Sequence, residues 1–510
     1  MGFFVRHSAI DCIFWFISST HHGYQCTGSE AIVNVNSKYQ GGNIMTSLLI
    51  LFLGAIVVLY YGINKPEGKS LLMTVILLLA ALSSLVYDLL TVKNRNVLGW
   101  LTEYVPENML IWNFNSIAFS IVLVLAFLLV LGLFSRNNYI GADLLGLMLF
   151  SVCGGMLMTS FSNLIMLFLG IECLSIPLYV LAGSKKSDLA SNESAVKYFL
   201  MGAFSTAIFL MGCAFLYGGT GSLELESISR ATSMITHLGI KSNLIFSGII
   251  LLMAGMLFKI SAFPFHFWSP DVYDGSPNRT TVFMATVVKI AAFAAFYRLF
   301  NEGLGDVKNW WGVTLAVSAG ATILFGNIAA IRQSSFKRML AYSSVAHAGY
   351  MLMAILALPQ NGFWALLVYL IAYTSSAVSV FYLLDRTSGE NSNFSFDNFN
   401  GLGKQSKWLS LILIVSMFSM AGIPMTAGFA GKYGLFSSII TSYPWLLYAA
   451  LIGSAISIAY YFRVFKHAFF SEDGTLVAWK IGTMEWIFLA LSLTITLLVG
   501  CWPAVITLCK

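Results

Sequence analysis

Glu172, Lys197, Lys259, Lys289 and Lys432 stand inside or against long apolar runs of this chain, where little water is available to hold a charge. At the centre of a bilayer a charged side chain costs roughly 2.5 to 3.5 kcal/mol on insertion scales, so such residues persist where they have a partner or a task. An ion or proton path is the first chemistry to consider. Glu172, in Phe168-Leu169-Gly170-Ile171-Glu172-Cys173-Leu174-Ser175-Ile176-Pro177, either pins helices as a protonated carboxyl or acts as a charge. Lys197 lies near a helix start and can snorkel to the interface. If it faces Glu172 instead, each charge favours ionisation of the other, and the strength of the pair tunes the lysine's proton affinity.

Lys259 and Lys289 are harder to explain as anchors. Lys289 falls about eight residues into its apolar run, and its stem does not easily reach either surface. An amine in a low-dielectric site gives up its proton more readily than in water, which is what a relay needs. His347, in Ser343-Ser344-Val345-Ala346-His347-Ala348-Gly349-Tyr350, titrates near physiological pH, although a lone histidine on such a helix serves as often in packing. Ser343 and Ser344, with Tyr342 and Tyr350, suit bound water between such groups. The expected relay is Glu172, Lys197, Lys259, Lys289, His347 and Lys432. His266 and Asp271 lie near a helix end and carry less weight. For Asp88 and Asp143, near span ends, a solvated carboxylate is the plainer reading.

The elements that must position these residues are membrane spans. The chain has 510 residues, 58% hydrophobic and 10% charged, with a mean hydropathy of +0.80, against about 25% charged residues in an ordinary soluble domain. With about 20 apolar residues per crossing of a core about 30 Å thick, fourteen helices are expected. They cover 47–62, 70–91, 112–134, 140–160, 163–183, 194–218, 244–267, 281–300, 310–331, 339–358, 363–384, 408–440, 445–467 and 484–508. The fold expected is an all-α polytopic membrane protein.

Loops after the odd-numbered spans hold Lys65, Lys69, Arg136, Lys185, Lys186, Arg279, Arg332, Lys337, Arg338, Arg386, Lys404, Lys407 and Lys480. Those after the even-numbered spans hold little beyond Lys93, Arg95, Arg230, Lys241 and Lys308. Positive-inside logic puts the first set in the cytoplasm and both termini outside. The net charge of +6 thus reads as loop charge that sets topology, and no nucleic-acid partner is expected.

Two spans are broken by proline in similar surroundings. The seventh carries Lys259-Ile260-Ser261-Ala262-Phe263-Pro264-Phe265-His266, and the twelfth Met420-Ala421-Gly422-Ile423-Pro424-Met425-Thr426-Ala427-Gly428. Proline removes a donor and clashes with the preceding turn, leaving free backbone groups at membrane depth. Breaks five spans apart are a sign of inverted repeats around an ion site. The repeats are expected over spans four to eight (about 140–300) and nine to thirteen (about 310–468), each with its discontinuous helix.

Residues 45–510 read as one integral membrane domain, since the longer connections 219–243 and 386–407 are too short for an independent one. Met1 to Ile44 lacks a clean small-residue cleavage pattern and precedes a second methionine, Met45; it is expected to be a non-native or disordered extension. The seven cysteines show no Cys-x-x-Cys spacing, so iron–sulfur or zinc ligation is not indicated. Without a Gly-x-Gly-x-x-Gly or Walker-type loop, nucleotide chemistry would have to occur on another chain.

At these residues the chain resembles the antiporter-like, proton-translocating subunits of respiratory complex I, relatives of the Mrp-type cation/proton antiporters. The matching stretches are Leu169 to Tyr179 around Glu172, Ala195 to Phe199 around Lys197, Lys259 to Tyr273 around Pro264, Lys337 to His347, and Ala421-Gly422-Ile423-Pro424 on to Gly431-Lys432. They cover most of the chain from the fourth span to the twelfth. The resemblance implies a proton-pumping membrane-arm subunit of an NADH:quinone oxidoreductase, with Glu172, Lys197, Lys259, Lys289, His347 and Lys432 at the family's ionisable positions. It implies no cofactor on this chain, with NADH, FMN, iron–sulfur clusters and quinone on partner subunits. The implied partners are neighbouring membrane-arm subunits, the peripheral NADH-oxidising arm and lipids, in a bacterial inner membrane. In the expected relay, protons from the cytoplasm load Lys259 and Lys289, pass toward Lys432 and leave outside, while a Glu172–Lys197 pair adjusts the central lysine. Met1 to Ile44 has no counterpart in the family, and the chain ends soon after the fourteenth span, without the lateral helix of one paralogue. The same lysines would also serve a subunit of an Mrp-type cation/proton antiporter.

Overall fold

The computed structural model describes residues 44–64, 69–91, 109–132, 141–239, 242–388, 394–471 and 481–501. The extension expected over Met1 to Ile44 lies outside the described residues except for Ile44, where the first described helix begins, and the end of the fourteenth span also lies outside them. The described chain is helical, and its helices are α1 (Ile44–Asn64), α2 (Ser70–Thr91), α3 (Phe114–Leu131), α4 (Ala142–Ser160), α5 (Leu164–Ala182), α6 (Leu189–Thr220) and α7 (Leu225–His237). They continue with α8 (Asn243–Lys259), α9 (Trp268–Gly275), α10 (Asn278–Gly303), α11 (Lys308–Ile331), α12 (Phe336–Leu356) and α13 (Pro359–Ser388). The last are α14 (Lys407–Ala421), α15 (Ala427–Ile439), α16 (Pro444–Phe470) and α17 (Thr483–Cys501).

Among the described residues, 11 helices are long and apolar enough to cross a membrane, and three shorter apolar helices, Thr46–Gly62, Asn243–Lys259 and Lys407–Ala421, accompany them. This is a multi-pass membrane protein. Most spans are apolar on every side, as expected where lipid replaces water. What separates interior from lipid-facing helices is packing. The most apolar stretch of α10 is 100% buried and those of α12 and α13 are 94% buried, against 22% in α17. Lys289 and His347 are carried on α10 and α12, two of the helices most withdrawn from lipid.

Small residues bring the helices together. Cβ atoms built on Gly326 and Gly349 would lie 2.7 Å from Ala346 N and 2.8 Å from Ile323 N, so α11 and α12 are in backbone contact. Polar caps define the entries: Ser335 Oγ accepts from Arg338 N to begin α12, and Asp188 from Ala190 N to begin α6. Short bridges tie the loops at each end, Leu110 with Phe161 and Asn163 with Glu224 at one, Ser335 with Ser395 at the other. The loops after even-numbered spans thus meet at one end, and those after odd-numbered spans at the other.

Both expected breaks are present, and both are wider than a proline kink. The seventh span, expected to run to 267, stops as a helix at Lys259 and resumes as α9 at Trp268. Between them Ser261 takes φ 60°. The freed groups find partners across the bundle: Phe263 N donates to Thr322 Oγ1 at 2.9 Å, Ser318 Oγ donates to Phe263 O, and Trp268 Nε1 donates to Phe258 O at 3.1 Å. In the twelfth span α14 ends at Ala421 and α15 starts at Ala427, with Gly422 at φ 86° and Met425 at φ 69°. Ser419 Oγ accepts from Gly428 N there, at 3.1 Å.

Two further features lie beyond the sequence expectations. The long connection after α6 contains the amphipathic α7. Within α10, residues Met284–Val288 and Arg298–Gly303 are π-helical. The first π segment ends immediately before Lys289, a placement common at functional sites.

Candidate proton path

Lys259, at the last turn of α8, is buried and donates from Nζ to Ser175 Oγ at 2.7 Å. Ser175, on α5, passes its own proton to Ile171 O at 2.5 Å, so its hydroxyl is oriented to accept from the lysine. One turn away on α5, the partly buried Glu172 accepts from Thr206 Oγ1 of α6 at 2.9 Å, without a direct bond to Lys259.

Lys289 is buried at the centre of α10. Its Nζ donates to Ser344 Oγ at 2.6 Å and to the Ser344 carbonyl, and lies 5.4 Å from the Tyr373 ring centre. Tyr373 OH also donates to Ser344 Oγ, at 3.0 Å. One turn along α12, His347 is buried between two phenols: Nδ1 hydrogen-bonds with Tyr369 OH at 2.7 Å and Nε2 with Tyr461 OH at 3.0 Å. Tyr461 OH in turn meets Ser343 Oγ. The ring centres of His347 and Tyr350 lie 6.1 Å apart.

Lys432, on α15, is buried and donates to Ala421 O, the last carbonyl of α14, at 2.7 Å, with Nζ 4.8 Å from the Tyr350 ring centre. The fit needs glycine at 422: a Cβ there would lie 2.7 Å from Lys432 Cδ, and φ is 86°. Tyr350 OH accepts from Ser454 Oγ at 3.2 Å and from Asn327 Nδ2 at 3.4 Å.

The hydrogen bonds form separate clusters: Lys259 with Ser175, Glu172 with Thr206, Lys289 with Ser344 and Tyr373, His347 with its two tyrosines and Ser343, and Lys432 with the Ala421 carbonyl. Lys197 belongs to none of them. It points to the loop end of α6, where Nζ meets Glu193 at 2.7 Å and Asp271 at 3.4 Å with 45% of its side chain exposed. The Glu172–Lys197 pair weighed from sequence does not form, because Lys197 lies more than two helical turns from Thr206, the residue of α6 that meets Glu172. Asp271, given little weight from sequence, holds Arg338 as well, at 2.8 Å. His266 is buried against Phe267 and Phe325.

Sequence reasoning overlooked Tyr369, Tyr373 and Tyr461. They lie on α13 and α16, and nothing in their neighbours marks them as facing α12. It also took Lys337 as a loop charge. The structure buries it, with Nζ donating to Asp274 O at 3.0 Å and Ser276 O at 2.5 Å. Arg298, unremarked in the sequence, is buried at the far end of α10, where it donates to Ser116 Oγ at 2.8 Å and pairs with Glu302 at 3.3 Å. Among the described residues no group of three or more His, Cys, Asp or Glu is arranged to hold a metal ion.

A bundle with two broken helices and buried lysines beside each break defines a class, and the chain belongs to the NADH:quinone oxidoreductase/Mrp antiporter membrane family, whose profile matches residues 162–457. Within that family it is similar to NADH-quinone oxidoreductase subunit N of Cytophaga hutchinsonii, 38% identical over 436 residues that cover 83% of this chain and 94% of that protein. Subunit N of Flavobacterium psychrophilum is 37% identical over 406 residues, covering 78% and 88%. A chain of respiratory complex I from Thermus thermophilus with bound aureothin matches with a TM-score of 0.74 at 32% identity, covering 89% of this chain and 98% of that one. A chain of an archaeal membrane-bound sulfane sulfur reductase shares the fold, with a TM-score of 0.79 at 23% identity over 90% and 96%. These relatives favour the quinone oxidoreductase reading over the Mrp one.

Proposed function

We propose that this chain is a proton-translocating membrane-arm subunit of an NADH:quinone oxidoreductase. Electrons pass from NADH to quinone on partner subunits that hold FMN, iron–sulfur clusters and the quinone site, and this chain moves protons. The observation that carries the reading is the run Lys289, His347, Lys432 with its hydroxyl partners, held beside a second buried lysine, Lys259, in a chain similar to subunit N over most of its length. Each amine donates to a hydroxyl or a carbonyl, so it can lose its proton without stranding a carboxylate partner.

Protons enter from the side of the odd-numbered loops, which their charge assigns to the cytoplasm of a bacterial inner membrane, with both termini outside. They load Lys259 and Lys289, move along the Ser344, His347 and tyrosine hydroxyls toward Lys432, and leave on the outer side. Water bridges the separate hydrogen-bonded clusters, including those on either side of His347. Glu172 is the control: it lies one turn from the serine that receives Lys259, and a neighbouring subunit that alters Glu172 or Thr206 alters the surroundings of that amine. Lys197 stands at the mouth of the path. Residues 45–510 act as one integral membrane domain, and spans four to eight and nine to thirteen as inverted repeats. In support, α4 packs on α5 as α11 packs on α12, and α6 meets α9 as α13 meets α15.

The test is Lys259→Ala and Glu172→Ala in the whole complex. Quinone-coupled NADH oxidation and proton pumping fall in both, while NADH oxidation with an artificial acceptor stays normal. An unchanged ratio of protons to electrons in both variants refutes the assignment. Native mass spectrometry of the gently solubilised complex checks the partners, since co-migration with flavin and iron–sulfur chains is required.

A further inference from the structure

We propose that Asp271 is a gate residue, whose carboxylate holds Lys197 and Arg338 together across the mouth of a polar cleft and so controls the access of water and hydronium to Lys289. The inference rests on the proton-translocating reading above and names where that path opens.

The cleft, of about 850 Å³, lies among the loops after the odd-numbered spans. Four basic and four acidic side chains line it, so its charge is balanced and suits water and protons rather than a polyanion or a metal ion. Asp271 accepts from Lys197 at 3.4 Å and pairs with Arg338 at 2.8 Å. These three residues come from α9, α6 and α12, so one carboxylate joins three helices across the opening. Each side chain is about 35 to 45% exposed. Solvated pairs of this kind form and break at little cost, which suits a gate better than a permanent brace.

Tyr273, two residues on from Asp271 and 2% exposed, has its hydroxyl beside Ser344, whose own hydroxyl accepts a hydrogen bond from Lys289. The lock is also tied to the break. Trp268, three residues before Asp271, stacks on Tyr198 with ring centres 4.8 Å apart and on Phe258 at 5.3 Å, and its Nε1 donates to the Phe258 carbonyl. Phe258 is the neighbour of Lys259.

Ser276, buried in the cleft wall, is the reporter. In the whole complex in inverted membranes, Ser276→Cys is labelled with a membrane-impermeant maleimide, against the parent without that cysteine. Adding Asp271→Asn raises the labelling rate per assembled complex about fivefold, equivalent to about 1 kcal/mol. Arg338→Gln does the same, and Asp271→Glu restores the parental rate. Lys197→Gln, at an exposed position, keeps the test open if the others fail to assemble. Acceleration in any assembled lock-breaking variant supports the gate; parental rates in all that assemble overturn it. Pumping by Lys289→Ala is measured separately. Normal pumping there sinks the relay reading, whereas the labelling result bears on the lock alone.

Discussion

The two broken helices use one device with different controls. At the first break the lysine sits on the half-helix that ends, with Lys259 in the last turn of α8. At the second it sits on the half-helix that begins and reaches back, so that Lys432 Nζ meets the last carbonyl of α14. Both amines thus arrive at the C-terminal end of a half-helix, where the backbone dipole favours a cation. Their surroundings differ. Lys259 has a serine, with the acid Glu172 one turn away from that serine on α5, whereas Lys432 has a carbonyl and a tyrosine ring. A neighbour can therefore adjust the first lysine by moving one carboxylate, but the second is set by the backbone itself. We read the first as the regulated step and the second as the constant one.

The largest expected effect comes from removing either amine. Lys259→Ala and Lys432→Ala each lower pumping in inverted vesicles about tenfold, about 1.4 kcal/mol in rate terms; equal residual pumping in the presence and absence of Lys259 would break the comparison at its root. Next is the backbone. Gly422→Ala forces a side chain into φ 86° and onto Lys432, costing about 1 to 3 kcal/mol, whereas Ser261→Gly relieves a positive φ and leaves the complex at least as stable. Thermal unfolding of the purified complex distinguishes the two, and equal behaviour would show that the breaks are built alike.

The third effect separates control from relay. Glu172→Gln keeps an acceptor for Thr206 but removes the charge, so pumping falls several-fold and responds less to the substrate load than in the parent, a difference read in proton-to-electron ratios over an NADH titration. Smaller still is Ser175→Ala, which leaves Lys259 one hydrogen bond short and lowers coupled turnover by roughly 1 kcal/mol. Thr206→Val is the mildest, about 0.5 to 1 kcal/mol, because Glu172 can take water in place of the lost hydroxyl.

Much of this was legible from residues alone, for reasons that differ by element. Pro264 and Pro424 marked the breaks because a missing N–H and a ring clash act locally, whatever the fold. Their width was not legible: α8 ends five residues before Pro264, where Thr322 and Ser318 of a distant helix take the freed groups. Lys289 stood out because a charge in an apolar run is costly anywhere. The π turn before it, and Tyr373 beside it, left no mark in the neighbouring residues. For Lys197 the sequence left two alternatives, and the structure places it at the exposed end of its span rather than beside Glu172. Lys337, counted with the loops, is buried with its amine on carbonyls at the end of α9.

Composition, span length and the placement of charge determine by themselves that this is a multi-pass helical membrane protein with several buried amines and two interrupted helices. Those properties follow from the cost of exposing backbone and charge to lipid, which each segment meets alone. Which groups face each amine was decided only by the tertiary structure. In spans apolar on every side no periodicity marks an inner face, so the partners of Lys259, Lys289, His347 and Lys432 depend on how helices far apart in the chain pack.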